Sequence, residues 1–308
     1  MDLTPSPPGD HSDMDLTPSS PGDLPSGRPV AGHASGGHVA RGHAVGGRVV
    51  RGRAPGARSL DGLTVVLPAF NEAANLEATV RELLPVVGAA AGTVEVVVVD
   101  DGSADDTADV AARLAAEAAR AGGPSVRVVR HPRNLGYGAA LRTGFAAARQ
   151  PWILLLDADG QFVPHDLERF VAAAAAADLV AGYRVRRADP PHRRAFAWAW
   201  RWLMRALLGV RVRDVDCAFK LVRTGLVQSL ALEAGGAFIS AELLAKAGRC
   251  GARIVEVPVA HRPRRAGQQT GGRVRVLVRA FYELARLWRR VRRFPGDAGR
   301  GPRTGSGR

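Results

Sequence analysis

Residues 152–161 read Trp-Ile-Leu-Leu-Leu-Asp-Ala-Asp-Gly-Gln. An unbroken apolar run entering two carboxylates, Asp157 and Asp159, predicts a strand buried on both faces that ends in paired acids. The carboxyl ends of strands are where open α/β sheets hold ligands. Two carboxylates so close repel unless a cation lies between them, and a hard divalent ion bound to phosphates supplies that charge. This edge therefore reads as a metal and diphosphate site. A helix cap or Asx turn ahead of Pro164 would use the same residues, so the neighbouring segments have to decide.

Upstream, Leu63 to Leu67 (LTVVL) forms a buried strand ending at Pro68-Ala69-Phe70-Asn71-Glu72, with a helix expected from Ala73 to Val86. Val94 to Val99 (VEVVVV) is a second strand ending in Asp100-Asp101-Gly102-Ser103, and Asp105-Asp106-Thr107 caps a helix through Ala119. Val126 to Arg130 is a third strand, followed by Asn134-Leu135-Gly136-Tyr137-Gly138 and a helix from Ala139 to Ala148. Repeated βα units with polar residues at each strand end predict a doubly wound α/β sheet of Rossmann type, mostly parallel, with helices on both faces. Gly136 and Gly138 serve a turn or let the backbone pass close to a ligand. The chain lacks the Gly-x-x-x-x-Gly-Lys-Ser loop of P-loop NTPases, and no Gly-x-Gly-x-x-Gly follows the first strand as in nicotinamide dehydrogenases.

The 308 residues divide unevenly. Residues 1–58 are Pro, Gly, Ser, Asp and Arg with few large apolar groups; MDLTPSPPGD at Met1 returns as MDLTPSSPGD at Met14, and His33, His38 and His43 each follow a glycine. This composition predicts a disordered low-complexity arm. Residues 59–272 read as the catalytic domain, 273–294 as a basic amphipathic helix and 295–308 as a disordered tail. The net charge of +14 is carried almost wholly by arginine. Its concentration in the arm and between Arg262 and Arg293, without a helix-turn-helix, zinc-finger or RNP pattern, points to an anionic membrane surface or phosphorylated ligands rather than nucleic acid. Cys217 and Cys250 form no disulfide framework or metal spacing, which fits a reducing compartment. No secretory signal or membrane-spanning run is expected, since the longest apolar stretch, Leu83 to Val99, is broken by Pro85, Gly88, Gly92 and Glu95.

Taken in order, these strand-end segments, together with Arg184 after Gly182, Asp214 to Lys220, Glu242, and Arg264 with Gly267, resemble the family 2 glycosyltransferases of the GT-A fold. Within them they are similar to the dolichyl- or polyprenyl-phosphate mannosyltransferase-like branch, over about Gly62 to Glu283. The resemblance implies that Pro68, Phe70, Glu72, Val99 and Asp101 line the nucleoside pocket. It implies that Asp157, Ala158, Asp159 and Gln161 meet the diphosphate, that Asp157, Asp159 and Gln161 hold Mg²⁺ or Mn²⁺, and that Arg184 and Arg264 face phosphate charge. Asp159, Lys220 and Glu242 are the implied catalytic residues, Glu242 as a group that orients the acceptor or takes its proton. Cys217 and Ala218 stand where the family has Gly or Ser, and Gln269-Thr270 where this branch often has Ser-Lys, so the donor stays open between a GDP- and a UDP-hexose.

Two segments of the second half suggest a bilayer. Arg193 to Gly209 places Phe196, Trp198, Trp200 and Trp202 among arginines, as a core helix or an interfacial one. Val274 to Phe294 carries Leu277, Phe281, Leu284 and Trp288 on one stripe with Arg275, Arg279, Arg286, Arg289 and Arg290 around it, as a packing helix or a basic membrane-facing one. Ile254 to Val259 is a strand whose Pro258 suits a sheet edge. The expectation is an inverting transfer of hexose from a nucleotide diphosphate sugar to polyprenyl phosphate, by a peripheral enzyme on the cytoplasmic membrane face. The alternatives are the same donor with a soluble or saccharide acceptor, and a non-catalytic binder of anionic lipid or nucleic acid.

Overall fold

A computed structural model describes residues 59–185, 202–264 and 274–295, with side chains on the last helix from Leu284 onward; all fall within the unit Arg53–Arg308. The low-complexity arm with its histidines, Phe196, Trp198 and Trp200, Gln269-Thr270 and the C-terminal tail lie outside the described residues.

Seven strands form one sheet in the order β3-β2-β1-β4-β6-β5-β7. They are β1 (Leu60–Ala69), β2 (Ala91–Asp100), β3 (Ser125–Arg130), β4 (Trp152–Leu155), β5 (Leu179–Arg184), β6 (Lys220–Arg223) and β7 (Ile254–Val259). The helices are α1 (Ala73–Ala90), α2 (Thr107–Ala121), α3 (Tyr137–Ala147), α4 (Leu167–Ala174), α5 (202–208), α6 (Thr224–Ser229), α7 (Ile239–Arg249) and α8 (Val274–Arg293). β6 alone runs antiparallel to its neighbours β4 and β5; the remaining pairs are parallel. The carboxyl ends of the parallel strands and the amino end of β6 therefore share one edge.

The apolar runs alternate between two cores, as a sheet covered on both faces requires. Val65, Leu67, Leu154 and Leu156 point to the side packed by α1, α2 and α4. Val66, Ile153 and Leu155 point to the side packed by α3, α5, α6, α7 and α8. β7 is an edge strand, so the missing N–H of Pro258 costs no ladder bond.

Two expected boundaries move. α1 continues through Pro85 to Ala90 rather than ending at Val86. Leu83 and Val87, fully buried one turn apart, hold the helix together across the bond that proline removes. β2 begins at Ala91, three residues before Val94, because Leu60 and Gly62 pair with Ala91 and Thr93. β5 and β6 were not legible as strands; Lys220–Arg223 is only four residues long and has no alternation to betray it.

α8 is a packing element over its described side chains. Leu284, Leu287 and Val291 are buried, with Trp288 and Phe294 packed against the same core. Arg286, Arg289 and Arg293 remain exposed. In α5, Met204 and Leu208 are buried whereas Trp202 is 63% exposed. No helix among the described residues is long and apolar enough to cross a membrane.

Candidate active site

The strand-end turns of β1 and β2 are tied together before any ligand is considered. Asn71 adopts φ of 56°, a left-handed conformation that Asn tolerates, and its Oδ1 accepts from Ala104 N at 2.9 Å. The N–H groups of Asn71 and Glu72 donate to Ser103 Oγ and Thr107 Oγ1, each at 2.9 Å, and that of Ala73 to Asp105 Oδ2 at 3.2 Å. The orphan donors at the start of α1 are thus met by the next turn rather than by a local cap. Gly102 is obligatory: its φ is 69°, and a Cβ there would lie 2.3 Å from the Arg133 carbonyl carbon.

Phe70 stands at the end of β1 with 45% of its surface exposed, a free aromatic face beside Pro68 and Val99, which pair across β1 and β2. Asp101 is turned inward. Its Oδ1 accepts from Leu135 N at 2.9 Å and lies 2.7 Å from His131 Nδ1, and its Oδ2 accepts from Gly136 N at 2.8 Å. His131 Nε2 in turn meets Thr143 Oγ1 at 2.9 Å. The carboxylate expected at base and ribose is here the latch that folds the Asn134–Gly136 turn over the end of β2. Asp100 is buried beneath it, accepting from Ser103 N at 2.9 Å, with Arg130 Nε 3.1 Å from Oδ2 in ion-pair contact without hydrogen-bond alignment.

β4 delivers Asp157 and Asp159 to the middle of this edge. Ala158 between them is buried, and its carbonyl accepts from Thr79 Oγ1 of α1 at 3.1 Å, so the turn is anchored from below. Tyr137 Oη donates to Asp157 Oδ1 at 2.9 Å. Burial, followed by the charge of Asp159, raises the Asp157 carboxyl to about 6. Burial and the Asp157 charge hold the Tyr137 phenol well above its usual value, so it stays a donor.

Two strained carboxylates with hard oxygen donors fit Mg²⁺ or Mn²⁺. No group of three or more His, Cys, Asp or Glu among the described residues could hold a metal, so a cation at this pair would need further ligands from water or a bound diphosphate. Gln161, expected as a third ligand, is mostly committed to the protein. Its N–H donates to Asp159 Oδ1 at 3.1 Å, its carbonyl accepts from Arg262 N at 2.7 Å, and its Nε2 donates to Arg262 O at 3.2 Å, leaving only its amide oxygen for a cation.

Those bonds draw the segment after β7 back across the edge. Phe162 and His261 form an antiparallel bridge, Arg262 pairs with Glu82 at 2.8 Å, and Arg264 reaches Glu72 in a direct ion pair. Glu72 and Arg264, two residues assigned to the donor from opposite ends of the chain, thus meet. Arg184, at the end of β5, is gripped by Asp214, with Nε to Oδ2 at 2.7 Å and Nη2 to Oδ1 at 2.9 Å. A fork held by two bonds is oriented, and 19% of its side chain remains exposed at the end of β5.

Two residues assigned to catalysis are bonded within the protein. Lys220 is fully buried, its Nζ donating to Val215 O at 3.1 Å, to Cys217 O, and lying 3.4 Å from Ser240 Oγ. It sits at the amino end of β6 opposite Leu155, so it places a positive charge near Asp157. Glu242 is also fully buried. Its Oε2 accepts from Glu233 N at 2.9 Å and Ala234 N at 2.7 Å, and Lys246 Nζ is 2.8 Å from Oε1 in ion-pair contact. With two amide donors and a paired ammonium, Glu242 clamps the 233–236 loop.

That loop explains the glycines after β3. Gly138 N donates to Gly235 O at 2.9 Å, and a Cβ on Gly138 would sit 2.2 Å from Ala234 O. The close approach that excludes a side chain is made by protein backbone rather than by a ligand. Sequence reasoning missed Tyr137, and it singled out the segment from Asp214 to Lys220 without foreseeing that Asp214 grips Arg184; nothing in their spacing marks a phenol or a carboxylate as an orienting group.

A profile of the family "Glycosyl transferase family 2" matches residues 64–227. The chain is 33% identical over 236 residues to glycosyltransferase AglD of Haloferax volcanii, covering 73% of this chain but only 37% of that protein. It is 30% identical over 214 residues to the undecaprenyl-phosphate mannosyltransferase of Micrococcus luteus, covering 66% of this chain and 84% of the relative. It is 33% identical to the undecaprenyl-phosphate 4-deoxy-4-formamido-L-arabinose transferase of Pseudomonas aeruginosa, covering 71% and 62% respectively. In fold the chain is similar to Mycobacterium tuberculosis glucosyl-3-phosphoglycerate synthase in complex with uridine diphosphate, with a TM-score of 0.57, 23% identity and coverage of 76% and 81%.

Proposed function

Since the chain belongs to glycosyltransferase family 2, we propose that it transfers a hexose, with inversion, from a GDP- or UDP-sugar to polyprenyl phosphate at the cytoplasmic face of a membrane. The observation that carries this reading is the convergence on one sheet edge of Asp157 and Asp159, the Asp214-held Arg184, and the Glu72–Arg264 pair. Such an edge balances a nucleoside diphosphate: exposed aromatic surface at Phe70 for the base, carboxylates for the cation that accompanies the diphosphate, and guanidinium for phosphate oxygens. The names of two relatives, which cite undecaprenyl phosphate, support a lipid phosphate acceptor.

The cation, held by Asp157 and Asp159, would neutralise charge on the departing diphosphate. The protein's own contribution is orientation. Tyr137 fixes Asp157, Thr79 fixes the Ala158 carbonyl, and Asp214 aims Arg184 at the developing negative charge, an arrangement that costs no reorganisation during reaction. An acceptor phosphate is ionised at neutral pH and attacks without a general base, in keeping with the burial of Glu242. Incubation with a panel of nucleotide sugars and Mg²⁺ or Mn²⁺, with and without polyprenyl phosphate, tests the reading. Glycosylated lipid phosphate is expected; transfer to water-soluble acceptors alone would replace it with the soluble-acceptor alternative.

A further inference from the structure

On the α7 and α8 side of the sheet, two clefts meet at Ala231. One is lined by Phe145 and Val227, both nearly covered, by Leu232, and by the polar Arg142 and Gln228. The other is lined by Arg286, Arg289, Arg290 and Arg293, with Lys246 and Glu233 beside them. The four arginines stand at i, i+3, i+4 and i+7, so they form one stripe along α8. Like charges at that spacing destabilise a helix unless something offsets them. Only Arg290 has an acidic partner among the described residues, Glu233 Oε2 at 3.1 Å. Lys246 is already paired with Glu242 and donates to Ala231 O at 2.8 Å. Guanidinium groups gathered in a concavity favour an anion with several acceptor oxygens, and phosphate is the chemistry that matches their forks.

The same cleft is connected to the donor edge. Glu233, which takes Arg290, begins the loop that Glu242 clamps through the Glu233 and Ala234 amides and that Arg142 Nη1 holds at Glu233 O, 3.0 Å, and Ala234 O, 2.6 Å. Ala234 and Gly235 carry the carbonyls against Gly136 and Gly138, and Tyr137 between those glycines holds Asp157. Ala231 at the junction has φ of 44°, a left-handed conformation costly for a residue with a Cβ. The loop is therefore strained at one end and held at the other by a half-exposed ion pair.

We propose that the arginine-lined cleft binds the phosphate headgroup of an anionic membrane lipid, and that filling it draws Arg290 from Glu233 and loosens the 231–236 loop beneath the donor-side turn. This deepens the membrane attachment suggested above, but neither readout below involves sugar transfer, so failure of the acceptor assignment and failure of this site are separate outcomes.

The full chain is mixed with phosphatidylglycerol or phosphatidylcholine vesicles, and binding is read by co-sedimentation and amide hydrogen exchange. Wild type is expected to bind the anionic vesicles only and to show faster exchange at residues 231–236 when bound. The exposed triple change Arg286→Gln, Arg289→Gln, Arg293→Gln leaves the core untouched and should weaken partitioning by about a hundredfold, three charges near an anionic surface having been removed. Glu233→Gln should show the faster exchange without lipid. The site is overturned if the triple variant sediments within twofold of wild type, or if exchange at 231–236 is the same in free and vesicle-bound protein. Inorganic phosphate alone reproducing the exchange change would overturn the lipid as its ligand.

Discussion

Asp159 and Glu242 are both buried carboxylates, yet their surroundings assign them opposite duties. Asp159 accepts one bond from the protein, Gln161 N at 3.1 Å, and faces Asp157 across a repulsive gap. Asp159→Ala is therefore expected to lower transfer by at least about a hundredfold, the scale of losing a charge-stabilising group. The melting temperature should move by no more than about 2 °C, because the change relieves repulsion as it removes one bond. A full rate for wild type in excess chelator would remove the metal from the argument. Glu242 holds two backbone amides and one ammonium. Glu242→Gln leaves Lys246 as a buried charge without its partner, and denaturant titration should show a loss of about 3–5 kcal/mol. Were the variant as stable as wild type but inactive, a direct role toward the acceptor would be restored.

Among the elements, the turn into α3 and the helix α8 are the most sensitive. Gly138→Ala forces a methyl against Ala234 O, a backbone atom that cannot rotate away, so the 233–236 loop must move. A loss of about 1–3 kcal/mol is expected, with a fall in activity larger than the stability change explains because Tyr137 shifts with the turn. Thermal denaturation measured beside the transfer rate separates the two effects. In α8, Leu287 is 2% exposed and belongs to the core that α7 shares. Leu287→Ala should destabilise by about 2–5 kcal/mol, whereas Arg289→Gln on the same helix should fall within about 0.5 kcal/mol, one face being packing and the other open to solvent. Equal effects in denaturant titration would mean that the helix does not rest on the core.

For the whole molecule, the proposed division is an arm before Ser59, a catalytic domain and the basic helix. The sheet and both cores are built from Leu60 onward, and residues 1–58 are too poor in large apolar groups to add a layer. A chain beginning at Ser59 should keep its melting temperature within about 2 °C and its rate on short-chain acceptors. A drop of ten degrees or so would place the arm on the fold.

What could be read from the chain alone was local and periodic. Apolar runs such as LTVVL and WILLLD dictate strands buried on both faces, and their polar ends place Glu72, Asp157 and Asp159 at one edge, because a parallel sheet aligns the ends of its strands. Tertiary structure alone decided what those polar groups do. Lys220 donates to the Val215 and Cys217 carbonyls of its own segment, Glu242 accepts from the Glu233 and Ala234 amides, and Asp101 holds the Asn134–Gly136 turn, bonds that no residue type announces. The stripe on α8 is equally good for a core and for a bilayer; over its described side chains, Leu284, Leu287 and Val291 pack in the core. A side chain's type sets which bonds it can make, and only the arrival of distant backbone determines which of them are already made.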